Sequence, residues 1–453
     1  MSDPAATGAF VGPDATAAPA LRPGAAPESP ATRPTAAFYG DDFTGSVDAL
    51  LQFARGGWRG RLLVGVPTPA ALARAARDAD VIGIAGIARS LPTAEIEAEV
   101  RPALTALVGT GAAVIQYKAC STADSSPSIG SLGRVIEIGR EVVGTRTVPL
   151  LFAQPDFGRY TVFGHHFAAE GGTVHRLDRQ PTMSAHPSTP MTESDLARHL
   201  SAQTALPIGS VPYTAYRDAA ALGAEIAGSP AAAVVLDAVD EGHVDLVGSA
   251  VAGLQRPVFA IGSGGLSLGI ARAAHRTGHP LPRATPSRGA VLAVSGSRSA
   301  RTRGQADAAA AAGWTVQPLP LRPDAEFIAS VVSSLRGGTS VALTSDDADL
   351  TTLGARPVLV ALAEAAAAVV DGAARAGAAG RVIVCGGDTS SRVTRLLGVE
   401  SLSIAANPEG NIVLCTAHTP DAAIDGLELL LKGGQVGDVD LFERIRRLDT
   451  VGL

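Results

Sequence analysis

The segment Gly40-Asp41-Asp42-Phe43-Thr44-Gly45 sets two adjacent carboxylates and a hydroxyl between glycines. Carboxylates in this setting bind a metal, accept hydrogen bonds from sugar hydroxyls, or act as a general base. Asp42 or Thr44 would also serve as a plain helix cap, but two acids, a threonine and two glycines exceed what a cap needs. A second segment runs from Lys118 to Gly130 and carries Ser121, Thr122 and Asp124. One ammonium, several hydroxyls and one acid suit a polyhydroxylated anion; the plain alternative is a polar loop. Two further segments are rich in small residues. One is Ser295-Gly296-Ser297-Arg298-Ser299, followed by Thr302 and Gln305; the other is Gly386-Gly387-Asp388-Thr389-Ser390-Ser391. Small residues let the backbone approach a ligand, and helix N-termini favour phosphate. Two such loops in one region suggest the phosphate chain of a nucleotide.

Lysine usage points the same way. Only Lys118 and Lys432 occur among 37 basic residues. Arginine replaces lysine as a generic surface cation, but not where a compact ammonium is needed. The surroundings of both lysines, including Lys432-Gly433-Gly434, are therefore candidates for holding an anion. Other signatures are missing. No Gly-Lys pair exists to make a Walker loop, no Gly-x-Gly-x-x-Gly follows a strand, and no His-Glu-x-x-His occurs. Asp156-Phe157-Gly158 spells a protein-kinase tripeptide without its companion motifs. His165, His166 and the other histidines lack ligand spacing, so no residue is assigned to a metal.

These segments need elements to position them. From residue 36, short apolar runs at 37–39, 61–64, 81–84, 113–117 and 148–152 read as buried strands. Helical spacing fills 45–55, 68–77, 93–107 and 129–143, and strands at 231–236 and 257–261 continue the pattern. A polar, proline-bearing stretch at 276–288 reads as a linker. Strands at 290–294, 340–344 and 381–385 then alternate with helices at 299–311, 325–335, 357–376 and 390–397. Such alternation predicts an α/β fold of two three-layer domains, each with a mostly parallel sheet, and an active site in the cleft between them. The divisions are 1–35, a disordered Ala/Pro-rich tail; 36–275; the linker 276–288; and 289–453. Ligands in such sheets bind beyond the carboxyl ends of strands, where all four segments fall.

Hydrophobic residues make up 46% and charged residues 18% of 453 positions, enough for sizeable cores. A net charge of -6 argues against a nucleic-acid binder. Cys120, Cys385 and Cys415 lie far apart, which suits neither a disulfide framework nor a zinc site and fits a reducing cytoplasm. The tail lacks the pattern of a signal or transit peptide. No membrane span is expected, because the Ala-rich run at 359–370 is short and interrupted by Glu364.

In order, the segments resemble the four-carbon acid sugar kinase family over roughly residues 36–445. Asp41-Asp42-Phe43-Thr44-Gly45 is similar to its Asp-Asp-Leu/Phe-Thr-Gly motif. Ser295 through Gln305 matches Ser-Gly-Ser-x-Ser-x-x-Thr-x-x-Gln without a gap. Gly386-Gly387-Asp388-Thr389-Ser390 resembles Gly-Gly-Glu-Thr-Ser, and Lys432 through Gly437 resembles Lys-Ser-Gly-Asn-Phe-Gly. One motif departs. Where many members carry Lys-x-Asp-Ser-Thr-Leu-Arg-Gly-Asn, this chain has Cys120 at the Asp position and Asp124 at the Arg position. An arginine is the natural partner of a carboxylate, so a different substrate from plain threonate or erythronate is expected, such as a branched or 3-oxo acid. Arg89 is the candidate to take over the substrate carboxylate.

The resemblance implies an ATP-dependent kinase of a small sugar acid. The sugar acid would contact Asp41, Asp42, Thr44, Arg89, Lys118, Ser121, Thr122 and Asp124, with Asp42 as base and Asp41 and Asp124 as the other candidates. ATP would contact Ser295, Gly296, Ser297, Ser299, Gly386, Gly387, Asp388, Thr389, Ser390, Lys432, Gly433 and Gly434, with Mg²⁺ near Asp388. Closure of the domains would exclude water. The expected assembly is a homodimer. Two other readings stay open: a Schiff-base lyase acting on a keto acid through Lys118, and a sugar-acid sensor without turnover.

Overall fold

The computed structural model describes residues 34–274, 278–283, 285–287, 289–346 and 357–448. The expected tail lies outside these residues except for Pro34 and Thr35. Thr35 already belongs to the fold, its N–H donating to Asp80 O at 2.8 Å.

The architecture is α/β with a mostly parallel sheet, and the sheets of the two halves are joined into one of fifteen strands. From one edge the order is Thr315–Pro318, Val341–Thr344, Leu292–Ser295, Arg381–Cys385, Glu428–Lys432, Ile412–His418 and Ser401–Glu409. It continues as Gly60–Val64, Val81–Ala85, Ala36–Gly40, Val114–Lys118, Val258–Gly262, Val148–Leu151, Ala233–Leu236 and Ile208–Val211. The last eight strands are mutually parallel, as are the first five. An antiparallel pair lies between the two sets, and Ser401–Glu409 pairs with Gly60–Val64 through Ser401↔Leu63 and Leu402↔Leu62.

The strands are apolar on both sides because helices cover both faces. Side chains alternate across a strand, so Ala36 and Phe38 enter one core with Leu50 and Leu51 of the helix Phe43–Arg55. Ala37 and Tyr39 enter the opposite core with Val135 and Ile136 of the helix Leu132–Val143. The first of these cores also contains Leu292, Val294, Val384 and Leu431, so it is continuous across both halves.

Several elements differ from expectation. The hairpin of Ser401–Glu409 and Ile412–His418 was not assigned, because Asn407-Pro408 and two register shifts interrupt its alternation. The helix expected at 390–397 is Gly387–Leu396, so Asp388, Thr389 and Ser390 form its first turn rather than a preceding loop. The stretch after residue 152 holds an unassigned arm, a three-stranded antiparallel sheet of Arg159–Val162, His165–Glu170 and Thr173–Arg176. The arm encloses a small core of Ala168, Leu177, Met183 and Met191. The described residues of the 276–288 stretch contain neither helix nor strand.

Candidate active site

In the N-terminal half the strand ends stand level: Gly40 pairs with both Ala85 and Lys118, and Lys118 pairs with Gly262. The chain leaves these ends through short backbone bonds, Asp41 N to Lys118 O at 3.1 Å and Arg89 N to Asp41 O at 3.0 Å. This sets Arg89 over the paired acids. Its Nη2 donates to Asp41 Oδ1 at 2.6 Å and pairs with Asp42 Oδ1 at 2.8 Å. Asp42 also caps the helix Phe43–Arg55, accepting Gly45 N–H on Oδ1 at 2.9 Å. Capping and site placement are therefore combined in one side chain. Burial pushes the Asp41 carboxyl up to about 6, with Arg89 pulling it down and Asp42 adding to the rise. Burial opposes the charge of Arg89, but the two aspartates outweigh it and hold its pKa well above the ordinary value. Arg89 is thus engaged by protein carboxylates rather than left open for a substrate carboxylate.

The Lys118 segment is more enclosed than its composition suggested. Lys118 is 2% exposed, donates from Nζ to Ala119 O at 2.9 Å, and lies 3.5 Å from Asp48 Oδ2. A substrate ketone has no open path to that amine, which removes the support for a Schiff base. Ser121, Thr122 and Asp124 are also buried. Thr122 donates to Asp124 Oδ1 at 2.5 Å, leaving its oxygen to accept from the Cys120 thiol at 3.0 Å. Burial and then Asp124 raise that thiol to about 11, so it carries its proton. His166 fixes the backbone here: Nε2 donates to Ser121 O at 2.7 Å and Nδ1 accepts from Thr161 at 2.9 Å. Burial lowers the His166 pKa to about 4, so the ring is neutral at pH 7. Asp124 is not left without positive charge, since both Arg89 and Arg159 interact with it electrostatically. Arg159 comes from the arm and was not anticipated; the sequence offers only an arginine after Gly158.

The C-terminal half repeats the design. Ser295, Cys385 and Lys432 end their strands level. Gly296 N donates to Cys385 O at 3.0 Å and Gly386 N to Lys432 O at 2.8 Å. Gly386 has φ +110°, a conformation that favours glycine, and the helix behind it has no side-chain cap. Its first N–H groups are therefore available to an anion. A Cβ on Gly296 would stand 2.1 Å from Thr389 Oγ1, so only glycine lets the two loops meet. Thr389 Oγ1 is buried without a hydrogen-bond partner among the described residues. Other members of the predicted set serve the loop itself. Ser299 and Thr302 donate to Gly434 O at 2.5 and 2.8 Å, and Gln305 Nε2 donates to Val436, Gly437 and Asp438 carbonyls. Lys432 is 3% exposed and donates to Thr302 Oγ1 at 3.1 Å. Burial lowers its pKa against the opposing influence of Cys385.

The two halves share a cavity of about 280 Å³ at these strand ends. Asp41, Asp42, Thr44 and Arg89 face Gly387, Asp388 and Ser391 across it. A Cβ on Gly387 would stand 3.8 Å from Thr44 Oγ1, a measure of how closely the walls approach. Six strand-to-strand steps separate Ala36–Gly40 from Arg381–Cys385. Twist of about 20–25° per step turns the strand direction by well over a right angle. That twist offsets the reversal at the antiparallel pair and brings both sets of carboxyl ends to one cleft. Lys118, Ser121, Thr122 and Asp124 do not line this cavity, nor do Ser295–Ser299 and Lys432–Gly434. Gly86, Ile87, Ser90, His186, Ser188 and Thr189 do, and were not anticipated. The last three lie in His186-Pro-Ser-Thr-Pro190, which reads as loop composition.

Family models for a sugar-binding N-terminal domain and a nucleotide-binding C-terminal domain match residues 36–270 and 292–442. The chain is 36% identical over 446 residues to a 3-oxo-isoapionate kinase of Paraburkholderia graminis, covering 90% of this chain and 93% of the relative. It is 31% identical over 441 residues to a 3-oxo-tetronate kinase of Pseudomonas fluorescens, covering 91% and 96%. A solved structure from Salmonella typhimurium LT2 superposes with a TM-score of 0.74 at 25% identity, covering 91% of this chain and 98% of the other.

Proposed function

The chain belongs to the four-carbon acid sugar kinase family and is a sugar-acid kinase, and from that premise we propose that it phosphorylates a hydroxyl of a branched or 3-oxo sugar acid. What carries the reading is the cavity between the Asp41–Asp42 pair and the helix start at Gly387–Asp388. Phosphoryl transfer needs positioning and charge neutralisation more than covalent help. ATP is assigned to the C-terminal half, its phosphates at the uncapped N-terminus of Gly387–Leu396 with Lys432 beneath the loops. The donor set suits Mg²⁺, which keeps one or two carboxylates alongside phosphate oxygens and water. Asp388 would be its protein ligand. Bound there, the ion would neutralise phosphate charge.

The acceptor hydroxyl is assigned to Asp42. Its Oδ1 is occupied by Gly45 N–H and Arg89, while Oδ2 has no hydrogen-bond partner among the described residues and is free to take the proton. Asp41 is 2% exposed and orients Arg89. Residues 36–275 would hold the acid and 289–453 the nucleotide, with 276–288 between them. No helix among the described residues is long and apolar enough to cross a membrane, and free thiols at Cys120, Cys385 and Cys415 suit a reducing cytoplasm.

Substrate choice is assigned to Cys120 and Asp124, which stand at the acid and arginine positions of the family motif and act from behind the cavity through their electrostatic influence on Arg89. A steady-state ATP-consumption comparison tests it. The expected order of kcat/KM puts 3-oxo-isoapionate and 3-oxo-tetronates above unmodified threonate and erythronate. A value highest for an unmodified acid would overturn the substrate assignment, and no turnover with any sugar acid would overturn the kinase.

A further inference from the structure

His186 enters the cavity from the arm, outside every segment that the family motifs cover. Its Nδ1 accepts the backbone N–H of Thr189 at 3.1 Å and lies 2.9 Å from Thr189 Oγ1. A backbone N–H can only donate, so Nδ1 is the acceptor and the proton of the neutral ring sits on Nε2. Nε2 has no hydrogen-bond partner among the described residues, although His186 lines the cavity with Asp41, Asp42, Arg89 and Asp388. The tautomer is thus fixed from behind, by a turn whose own position is fixed. His186 N donates to Met183 O, Met191 N donates to Met183 O, and both methionines belong to the arm's small core. At its base the arm is tied to the main sheet. Asp237, after Ala233–Leu236, accepts the N–H groups of Phe163 at 2.6 Å and Gly164 at 2.9 Å, and Thr161 bridges to Ala238.

The charge of the cavity gives such a donor a role. Three carboxylates line it, and the guanidinium that joins them already serves two of the three. Lys118 and Lys432 are held elsewhere. An oxygen-rich acid entering this space meets rotating hydroxyls on Thr44 and Ser391, which donate or accept equally well, while Ser90 Oγ already donates to Ile87 O at 3.0 Å. We propose that His186 Nε2–H is a fixed donor to an oxygen of the bound sugar acid, making it a specificity-determining residue supplied by the arm. The inference rests on the kinase reading above and assigns the histidine to the acceptor, not the nucleotide, because the arm belongs to the half that carries Asp41 and Asp42.

The test compares His186→Ala, His186→Asn and His186→Gln in the full-length protein. The glutamine amide reaches to about the position of Nε2, whereas the asparagine amide stops near Nδ1. Expected for Ala and Asn is a loss of roughly tenfold or more in kcat/KM for the sugar acid, with an unchanged KM for ATP. Gln should recover most of that loss. Equal losses in all three variants together with a raised KM for ATP would mean a structural role only, and kcat/KM within threefold of the parent in the Ala variant would overturn the proposal. Calorimetric titration of 3-oxo-isoapionate without nucleotide separates the two readings. Should the parent bind the acid without turnover, the kinase assignment fails, yet weaker binding by the Ala variant would still uphold the donor and equal binding would overturn it.

Discussion

Replacing Asp42 with asparagine separates chemistry from architecture at one atom. Asparagine caps helices about as well as aspartate, so the bond from Gly45 N–H to Oδ1 at 2.9 Å should persist. The ion pair to Arg89 disappears, but the Asp42 and Arg89 side chains are 31% and 23% exposed and Arg89 keeps Asp41. A pair so placed is worth under about 1 kcal/mol, which moves the melting temperature by no more than about 2 °C. The proton acceptor, by contrast, is lost outright. General-base removal costs roughly 10²–10⁴ in rate, and the lower bound equals about 2.7 kcal/mol of barrier. The assay is a coupled ATP-consumption measurement with saturating sugar acid, beside thermal unfolding and ATP titration. Expected is a fall in kcat of at least a hundredfold with ATP affinity and melting temperature nearly unchanged. A variant turning over within threefold of the parent would refute the base assignment. A large drop in melting temperature would refute the claim that the cap survives.

Three other outcomes are expected. Thr389→Val removes a buried hydroxyl that has no hydrogen-bond partner among the described residues, so the free protein should gain about 1 kcal/mol while ATP binds more weakly; denaturant titration showing a loss of stability would count against it. Lys432→Met should raise the KM for ATP at least about tenfold and leave the KM for the sugar acid alone, as steady-state kinetics would reveal; an unchanged ATP KM would remove Lys432 from nucleotide binding. Asp41 is raised in the fold from 3.8 to about 6, so its favourable contribution is complete below pH 3.8 and is lost as pH rises through about 6, a swing of about 3 kcal/mol. Asp41→Asn should abolish that swing, and unfolding curves of parent and variant that stay parallel between pH 4 and 7 would contradict the assignment.

The sequence was most legible where chemistry and local structure coincide. Asp41 and Asp42 follow a five-residue apolar strand, and the structure has that strand there with both aspartates lining a cavity at its end. The hydroxyls of Ser299 and Thr302 and the amide of Gln305 were recognisable as a set, but their targets were not, because a backbone carbonyl such as Gly434 O leaves no trace in composition. The composition around Lys118 suggests a lysine open to ligand, yet it is buried beside Asp48, one helical turn beyond Gly45. That contact depends on how the helix Phe43–Arg55 lies over the sheet. Arg159 and His186 escaped notice for a related reason. Their arm is a satellite with a four-residue core, too small to impose a clear period on the chain.

The junction between the halves is narrow: its strand register comprises Ser401↔Leu63 and Leu402↔Leu62, beside a continuous core on one face. Severing the chain in the 276–288 stretch would therefore not release two finished modules. Each fragment would bare a strand, Gly60–Val64 on one and Ser401–Glu409 on the other, with unpaired amides and carbonyls beside freshly exposed leucines. Such edges recruit other strands, so the fragments should seek each other or self-associate. Mixed at equal concentration they offer a complementation system, in which recovered phosphoryl transfer reports the docking of one half onto the other.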